Sequence, residues 1–278
     1  MILNDLIVPY LKYVKMYNSS GTYDFTLQVS KALNKYFKNV DVFTIDKTMV
    51  YNFINYCMSL NLSNNTINKR VAMLKRLYKY HDLPCSFINI KKLKERFITY
   101  GFLDNKSLAL FYSIIPKLSL YNQCMMLLFI ECGIRVNELI HIKTCNVDLS
   151  NRCIFLEITK NNHTRYVYFS KNTKVILSKY ILANPKIKNT YLFLSKKTNS
   201  VLSRYTVNSI FSSIRKKYHI EKLSPHMLRH TLSTKLYNNG ANLLFICSIM
   251  GHSNPNTTKR YVHNDLSNDL KIFDSYYF

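Results

Sequence analysis

The chain has 278 residues, 47% hydrophobic and 19% charged, a composition that supports two ordinary globular domains with sizeable cores. Lys and Arg number 39 against 15 Asp and Glu, a formal net charge of +24 that exceeds what solubility needs and points to a polyanionic partner. The seven cysteines are odd in number and lack a CxxC pair, which suggests neither a disulfide framework nor a zinc site. No apolar run approaches the ~18 residues needed to span a bilayer.

Asp5 stands where a secretory peptide carries positive charge, so a reduced, cytoplasmic protein with no membrane association is expected. Cys124, Cys132 and Cys247 lie in apolar runs and read as core thiols. The basic excess is shared by residues 1–99 and 100–278, so two folded regions each present a cationic surface. That favours a body that surrounds nucleic acid over one that touches it with a tail.

In chain order, residues 1–85 read as helices only. Helices are expected near 4–17 and 25–37. Val50, Phe53, Ile54, Cys57 and Met58 keep helical spacing, and Ile67, Val71, Leu74 and Tyr78 repeat it after a cap at Ser63. The opposite side of that fourth helix carries Lys69, Arg70, Lys75, Arg76 and Lys79, beside Tyr78 and Tyr80, and reads either as a solvated face or, given the global excess of charge, as a DNA-facing surface. Residues 86–101 are basic and lack clear periodicity, which places the connection between domains there.

A second unit begins near 102. A buried helix is interrupted at Gly133, and Arg135 and Glu138 share a face of the next helix. "RCIFLEITKNNHTRYVYFS" has strand-like runs on both sides of Asn161 and Asn162, a hairpin with Lys160 at its tip. In "SPHMLRHTLS" Ser224 caps a helix that Pro225 opens; His226, Arg229 and His230 share one side, and Leu228, Leu232 and Leu236 form the stripe it buries. A short apolar helix then ends at Gly251, His252 follows directly, and Tyr261 stands nine residues on. Leu266, Leu270, Ile272 and Phe273 suit a small final helix.

These residues form a kit for phosphoryl transfer with no metal or other cofactor. Negative charge develops on the nonbridging oxygens of a DNA phosphodiester, and Arg135 and Arg229 supply planar, bidentate donors for it. A tyrosine hydroxyl is only ~0.1% ionised at pH 7, a deficit that a neighbouring base and the two cations can offset. Tyr261 is the candidate nucleophile and His226 the candidate base. Lys160 is the candidate acid for the departing 5′ oxygen, with Lys143 and Arg165 as nearby alternatives in sequence. His252 donates to the phosphate, while Glu138 and His230 orient their neighbours.

At these residues the sequence resembles the tyrosine recombinase (phage integrase) family. The family's first box, Gly-hydrophobic-Arg followed by Glu-Leu, is matched by "GIRVNEL". The second, His-x-Leu-Arg-His, is matched by "HMLRH", and the third, Leu-Gly-His with a tyrosine nine positions on, by "MGHSNPNTTKRY" apart from Met250. The resemblance implies a mainly α fold with a small β-hairpin or sheet (α+β), closing on DNA as a C-shaped clamp. It implies a SAM-like core-binding domain over 1–88, a linker over 89–101 and a catalytic domain over 102–278 with a tail over 262–278.

It further implies cleavage through a covalent 3′-phosphotyrosine, paired specific sites on double-stranded DNA, and a homotetramer there that is monomeric or weakly associated when free. An accessory recombinase partner belongs to the same expectation, as does a tail docked on a neighbouring subunit, with packing within its own chain as the alternative for that tail. The chain starts at the core-binding region, as in simple Xer-like or transposon-borne forms. The rivals are a type IB topoisomerase-like enzyme and a non-catalytic DNA-binding protein. A metal-dependent nuclease would need clustered acids, and the 15 acidic residues are dispersed.

Overall fold

The computed structural model describes residues 1–94, 101–157, 164–188, 190–221, 223–251 and the helix 266–277, with side chains in that helix at 270, 271 and 273–276. The chain divides into two compact units, residues 1–98 and 99–278.

The first unit is a helical bundle of α1 (Leu3–Tyr17), α2 (Ser20–Tyr36), α3 (Lys47–Ser59) and α4 (Asn64–Tyr80). Ser19, Asp46 and Ser63 cap α2, α3 and α4, each accepting a backbone N–H that the helix itself cannot satisfy. The predicted cap at Ser63 is thus the observed one. Leu3, Leu33, Phe37, Phe53, Leu74, Leu77 and Tyr78 meet in the core. Tyr78 belongs to that core and not to the basic face.

Residues 86–94 depart from the expected connection. Phe87 and Ile90 are buried in the bundle's core, and side chains of α4 strap the segment down. Asn68 exchanges two hydrogen bonds with the Leu93 backbone (2.9 and 2.8 Å), and Lys75 donates to Ile88 O and Ile90 O (2.7 and 2.8 Å). Irregular backbone satisfied by side chains leaves no period for a sequence reading to find.

In the second unit α6 (Leu120–Cys132) is buried along almost its whole length and forms the axis of the core. Around it lie α5 (Asn105–Ile114), α8 (Lys171–Leu182), α9 (Arg204–Tyr218) and α10 (Pro225–Asn238). A three-stranded antiparallel sheet joins β1 (Val147–Asp148), β2 (Cys153–Leu156) and β3 (Arg165–Tyr168). The hairpin β2–β3 runs from Cys153 opposite Tyr168 to Leu156 opposite Arg165. The sequence reading found this hairpin but not β1, whose two residues are too few to alternate.

Two short helices complete the frame, α7 (Val136–Ile140) and α11 (Leu243–Met250). The last helix, α12 (Leu266–Tyr277), packs on α10 of the same chain. Phe273 is fully buried against Tyr168, and Arg152 forks onto the Asp274 carboxylate.

Candidate active site

The site grows from two glycines that end helices in the left-handed conformation. Gly133 (φ +58°) stops α6 and turns the chain into α7; Gly251 (φ +59°) stops α11. The positive φ strains any other residue at either position, and a Cβ would also press on a neighbour, 2.9 Å from the Leu232 side chain at Gly133 and 2.8 Å from the Arg165 guanidinium at Gly251.

Where α11 ends, three successive carbonyls lack partners within the helix and carry the negative end of its dipole. Each receives one arginine. Arg165 Nε donates to Ile249 O (2.7 Å), Arg229 Nη2 to Met250 O, and Arg135 Nη2 to Gly251 O (2.8 Å). Arg229 also donates through Nη1 to Gly133 O, so this one side chain ties the ends of α6 and α11 together. The three guanidiniums come from β3, α10 and the N-cap of α7, segments far apart in sequence.

Glu138 sits beneath them. Its Oε1 accepts from Arg135 Nη1 (2.8 Å) and Arg165 Nη1 (2.9 Å), and its Oε2 from the Arg135 backbone N–H (2.8 Å) and Arg165 Nη2 (2.9 Å). Burial pushes this carboxyl up, but the hydrogen bonds and charge of Arg165, then of Arg135, outweigh it and hold it below the ordinary value. Glu138 is therefore ionised at neutral pH. Three guanidiniums against one carboxylate leave a site with excess positive charge and spare N–H donors, which can bind and polarise an anion such as a phosphate.

The arginines differ in access. Arg135 exposes a quarter of its side chain, while Arg165 and Arg229 are nearly covered. Burial, and then the neighbouring Arg135 and Arg165, lower Arg229 to about 9, so it stays charged at pH 7 but its charge is poorly solvated. An anion arriving beside it gains correspondingly more than it would beside a surface arginine.

On α10, opened by Ser224 and Pro225 as expected, the stripe of Leu228, Leu232 and Leu236 is buried. His226 is exposed at the helix start and His230 half-buried one turn on. Burial first, then the charges of His226 and Arg229, lower His230, which favours its neutral form. The structure thus brings together Arg135, Glu138 and Arg229 of the predicted set, with His226 and His230 on the helix that carries Arg229. Lys160, His252 and Tyr261 lie outside the described residues.

Of the alternatives to Lys160, Lys143 pairs with Glu157 at 2.8 Å and Arg165 is committed to Glu138. Arg165 is the member whose place the sequence reading missed. The available signal was strand alternation, which sets Arg165 on the same face as the buried Val167. In the first unit Lys69, Arg76 and Lys79 are exposed on α4, Lys75 holds the 88–90 backbone, and Arg70 Nη1 lies 3.5 Å from Cys57 Sγ. Among the described residues no group of three metal-ligating side chains occurs, and no helix is long and apolar enough to cross a membrane.

Residues 101–267 match the model of the phage integrase family, and residues 3–80 that of the phage integrase SAM-like domain. The chain belongs to the phage integrase family, the tyrosine recombinases. It is 27% identical to the tyrosine recombinase XerC of Pediococcus pentosaceus over 95% of this chain and 93% of that protein. It is 26% identical to XerC of Staphylococcus saprophyticus over 76% and 75%. In fold it resembles the Tn1549 transposon integrase bound to a circular-intermediate DNA, with a TM-score of 0.76, 18% identity and coverage of 99% and 97% of the two chains. The mainly α fold with a small sheet and the family are those expected, and the enzyme is a DNA strand transferase that cuts and rejoins.

Proposed function

We propose that this recombinase cuts one strand at a specific DNA site through attack of Tyr261 on the scissile phosphate. The observation that carries the reading is the convergence of Arg135 and Arg229 on the end of α11, immediately before His252 and ten residues before Tyr261. The phosphate displaces no protein charge when it docks there; its nonbridging oxygens meet guanidinium donors already held in place.

In the step itself the Tyr261 oxygen forms a bond to phosphorus and the bond from phosphorus to the 5′ oxygen breaks. His226 takes the phenolic proton, Lys160 supplies one to the departing 5′ oxygen, and His252 donates to the phosphate. His230 and Glu138 hold their neighbours. Rejoining is the reverse, with a 5′ hydroxyl as the attacking group, so the bond energy is kept in the protein–DNA link. Four copies acting at paired sites in the cytoplasm exchange strands in this reading, and an accessory recombinase can replace some copies. Lys69, Arg76 and Lys79 supply contacts to the DNA backbone.

The test is a nicked suicide substrate incubated in EDTA at constant ionic strength. Wild type should accumulate a covalent protein–DNA adduct that Tyr261→Phe cannot form while still binding the DNA. An undiminished adduct in the mutant would remove Tyr261 from its role, and loss of wild-type activity on chelation would send the reading to a metal-dependent mechanism. Lys160→Ala should cleave roughly 10²–10⁴-fold more slowly, a loss largely restored by a 5′-bridging phosphorothiolate whose leaving group needs little protonation. Relaxation of supercoiled DNA without a paired site would favour the type IB topoisomerase-like alternative.

A further inference from the structure

We infer that Arg165 is a positioning residue for strand cleavage, acting through Glu138 to set the guanidinium of Arg135; the inference rests on the reading of Arg135 as a phosphate-binding group. Among the described residues Arg165 makes three side-chain hydrogen bonds, to two parts of the site. Two run in parallel to the two oxygens of Glu138, fixing the plane of the carboxylate, and the third fixes the backbone at Ile249. Each Glu138 oxygen then offers its remaining direction to Arg135, one to the guanidinium and one to the backbone N–H. The plane Arg165 imposes on the carboxylate is therefore passed to Arg135, the more exposed of the pair.

The arrangement is costly if stability were its only purpose. Burying an ion pair forfeits hydration that the attraction does not fully return, and apolar side chains of similar volume often serve a core as well or better. What a planar fork provides and an apolar contact does not is orientation. Arg165 is the first residue of β3, and its one guanidinium joins that strand to α7 and to the end of α11.

Among the described residues the charged groups facing Glu138 are Arg135 from its own turn, Arg165 from β3 and Arg229 from α10. Arg165 contributes most to keeping the carboxylate ionised against its burial. Without Arg165 the carboxyl rises. A protonated Glu138 presents an O–H where Arg135 needs an acceptor, so cleavage should then fail on mild acidification, where wild type still cuts.

The experiment is single-turnover cleavage at saturating DNA, from about pH 5 to pH 9, for wild type, Arg165→Gln, Arg165→Lys, Arg135→Ala and the Arg135→Ala/Arg165→Gln double variant. Arg165→Gln should slow cleavage roughly 10- to 100-fold without weakening DNA binding, and its acid limb should move to higher pH. Arg165→Lys keeps a charge but not the fork, so it should leave the acid limb near that of wild type while still slowing cleavage. It supplies the measurement if the glutamine variant does not fold. The double variant should be no slower than Arg135→Ala alone, because both changes remove one function.

A methylphosphonate at the scissile position lacks one charged oxygen and should relieve Arg165→Gln and Arg135→Ala in parallel. Losses that multiply in the double variant, an unmoved acid limb in Arg165→Gln, or wild-type rates for Arg165→Lys would overturn the inference. Normal cleavage by Arg135→Ala would instead overturn the reading beneath it.

Discussion

Glu131 and Glu138 lie in the successive helices α6 and α7, each is 3% exposed, and burial pushes both carboxyls up, yet they end on opposite sides of the ordinary value. Glu131 accepts from the Ser170 backbone N–H (2.8 Å) and hydroxyl (3.0 Å), neutral donors that fix the start of α8. They do not offset its desolvation, and its carboxyl stays raised, with Lys235 a weaker influence. Glu138 has two guanidiniums on its oxygens and is lowered. Burial alone therefore does not mark a functional carboxylate. The partner does: one glutamate is part of the scaffold, the other is the counterion that lets three arginines share a small space.

The two carboxyls respond to pH in opposite directions. Glu138, with its folded value depressed, contributes stability that is present above the unfolded carboxyl range, about 4.3, and is lost as pH falls through the folded value. Glu131, with its folded value raised, contributes stability that is complete below about 4.3 and is lost as pH rises through the folded value.

The largest effect belongs to the cation that Glu138 helps to keep charged. Arg229→Ala should reduce single-turnover cleavage by about 10³-fold at saturating DNA, and Arg229→Lys should recover little, since an ammonium cannot fork between Gly133 O and Met250 O. Next comes Glu138→Gln, which keeps the shape and removes the charge. Cleavage should fall about 10²-fold, and urea melts should show a loss of about 3–5 kcal/mol, as for a buried ion pair deprived of one partner.

A smaller effect is expected where cations face solvent. Converting Lys69, Arg76 and Lys79 together to alanine should weaken DNA binding, with the salt slope reduced by about 0.9 for each phosphate that the protein no longer neutralises. Cleavage at saturating DNA should stay within about twofold of wild type. The smallest effect is that of Glu131→Gln. Its cleavage should be unchanged, its stability near neutrality should shift by about 1 kcal/mol or less, and its stability should decline less than that of wild type as pH rises. A cleavage defect there would mean that the two glutamates are not functionally distinct.

Much of this was legible in the sequence because it rests on local rules. The caps at Ser63 and Ser224, the leucine stripe of α10 and the glycines that stop α6 and α11 are each determined by a few neighbouring residues. The family boxes named Arg135, Glu138 and Arg229 for the same reason. What was not legible depends on contacts across long separations. Lys75 has the spacing of a DNA-facing residue, yet it is used on Ile88 O and Ile90 O. Arg165 has the spacing of a strand residue, and only the folded chain brings it to Glu138 and to the last carbonyls of α11. The connection read at 89–101 begins within the first unit's core because α4 side chains, not periodic apolar residues, hold it.

The claim that unites the site is that Glu138 is ionised by its arginines while its buried neighbour is not so supported. Carboxyl-carbon NMR of the selectively labelled glutamates, assigned with Glu131→Gln and Glu138→Gln and followed from about pH 3 to pH 9, measures this directly. The account predicts a Glu138 midpoint below the usual range near 4.3 and a Glu131 midpoint above it. In Arg165→Gln the Glu138 midpoint should move upward while that of Glu131 stays in place. A Glu138 that titrates above the usual range in the wild-type protein, or one that does not respond to the loss of Arg165, would contradict the account.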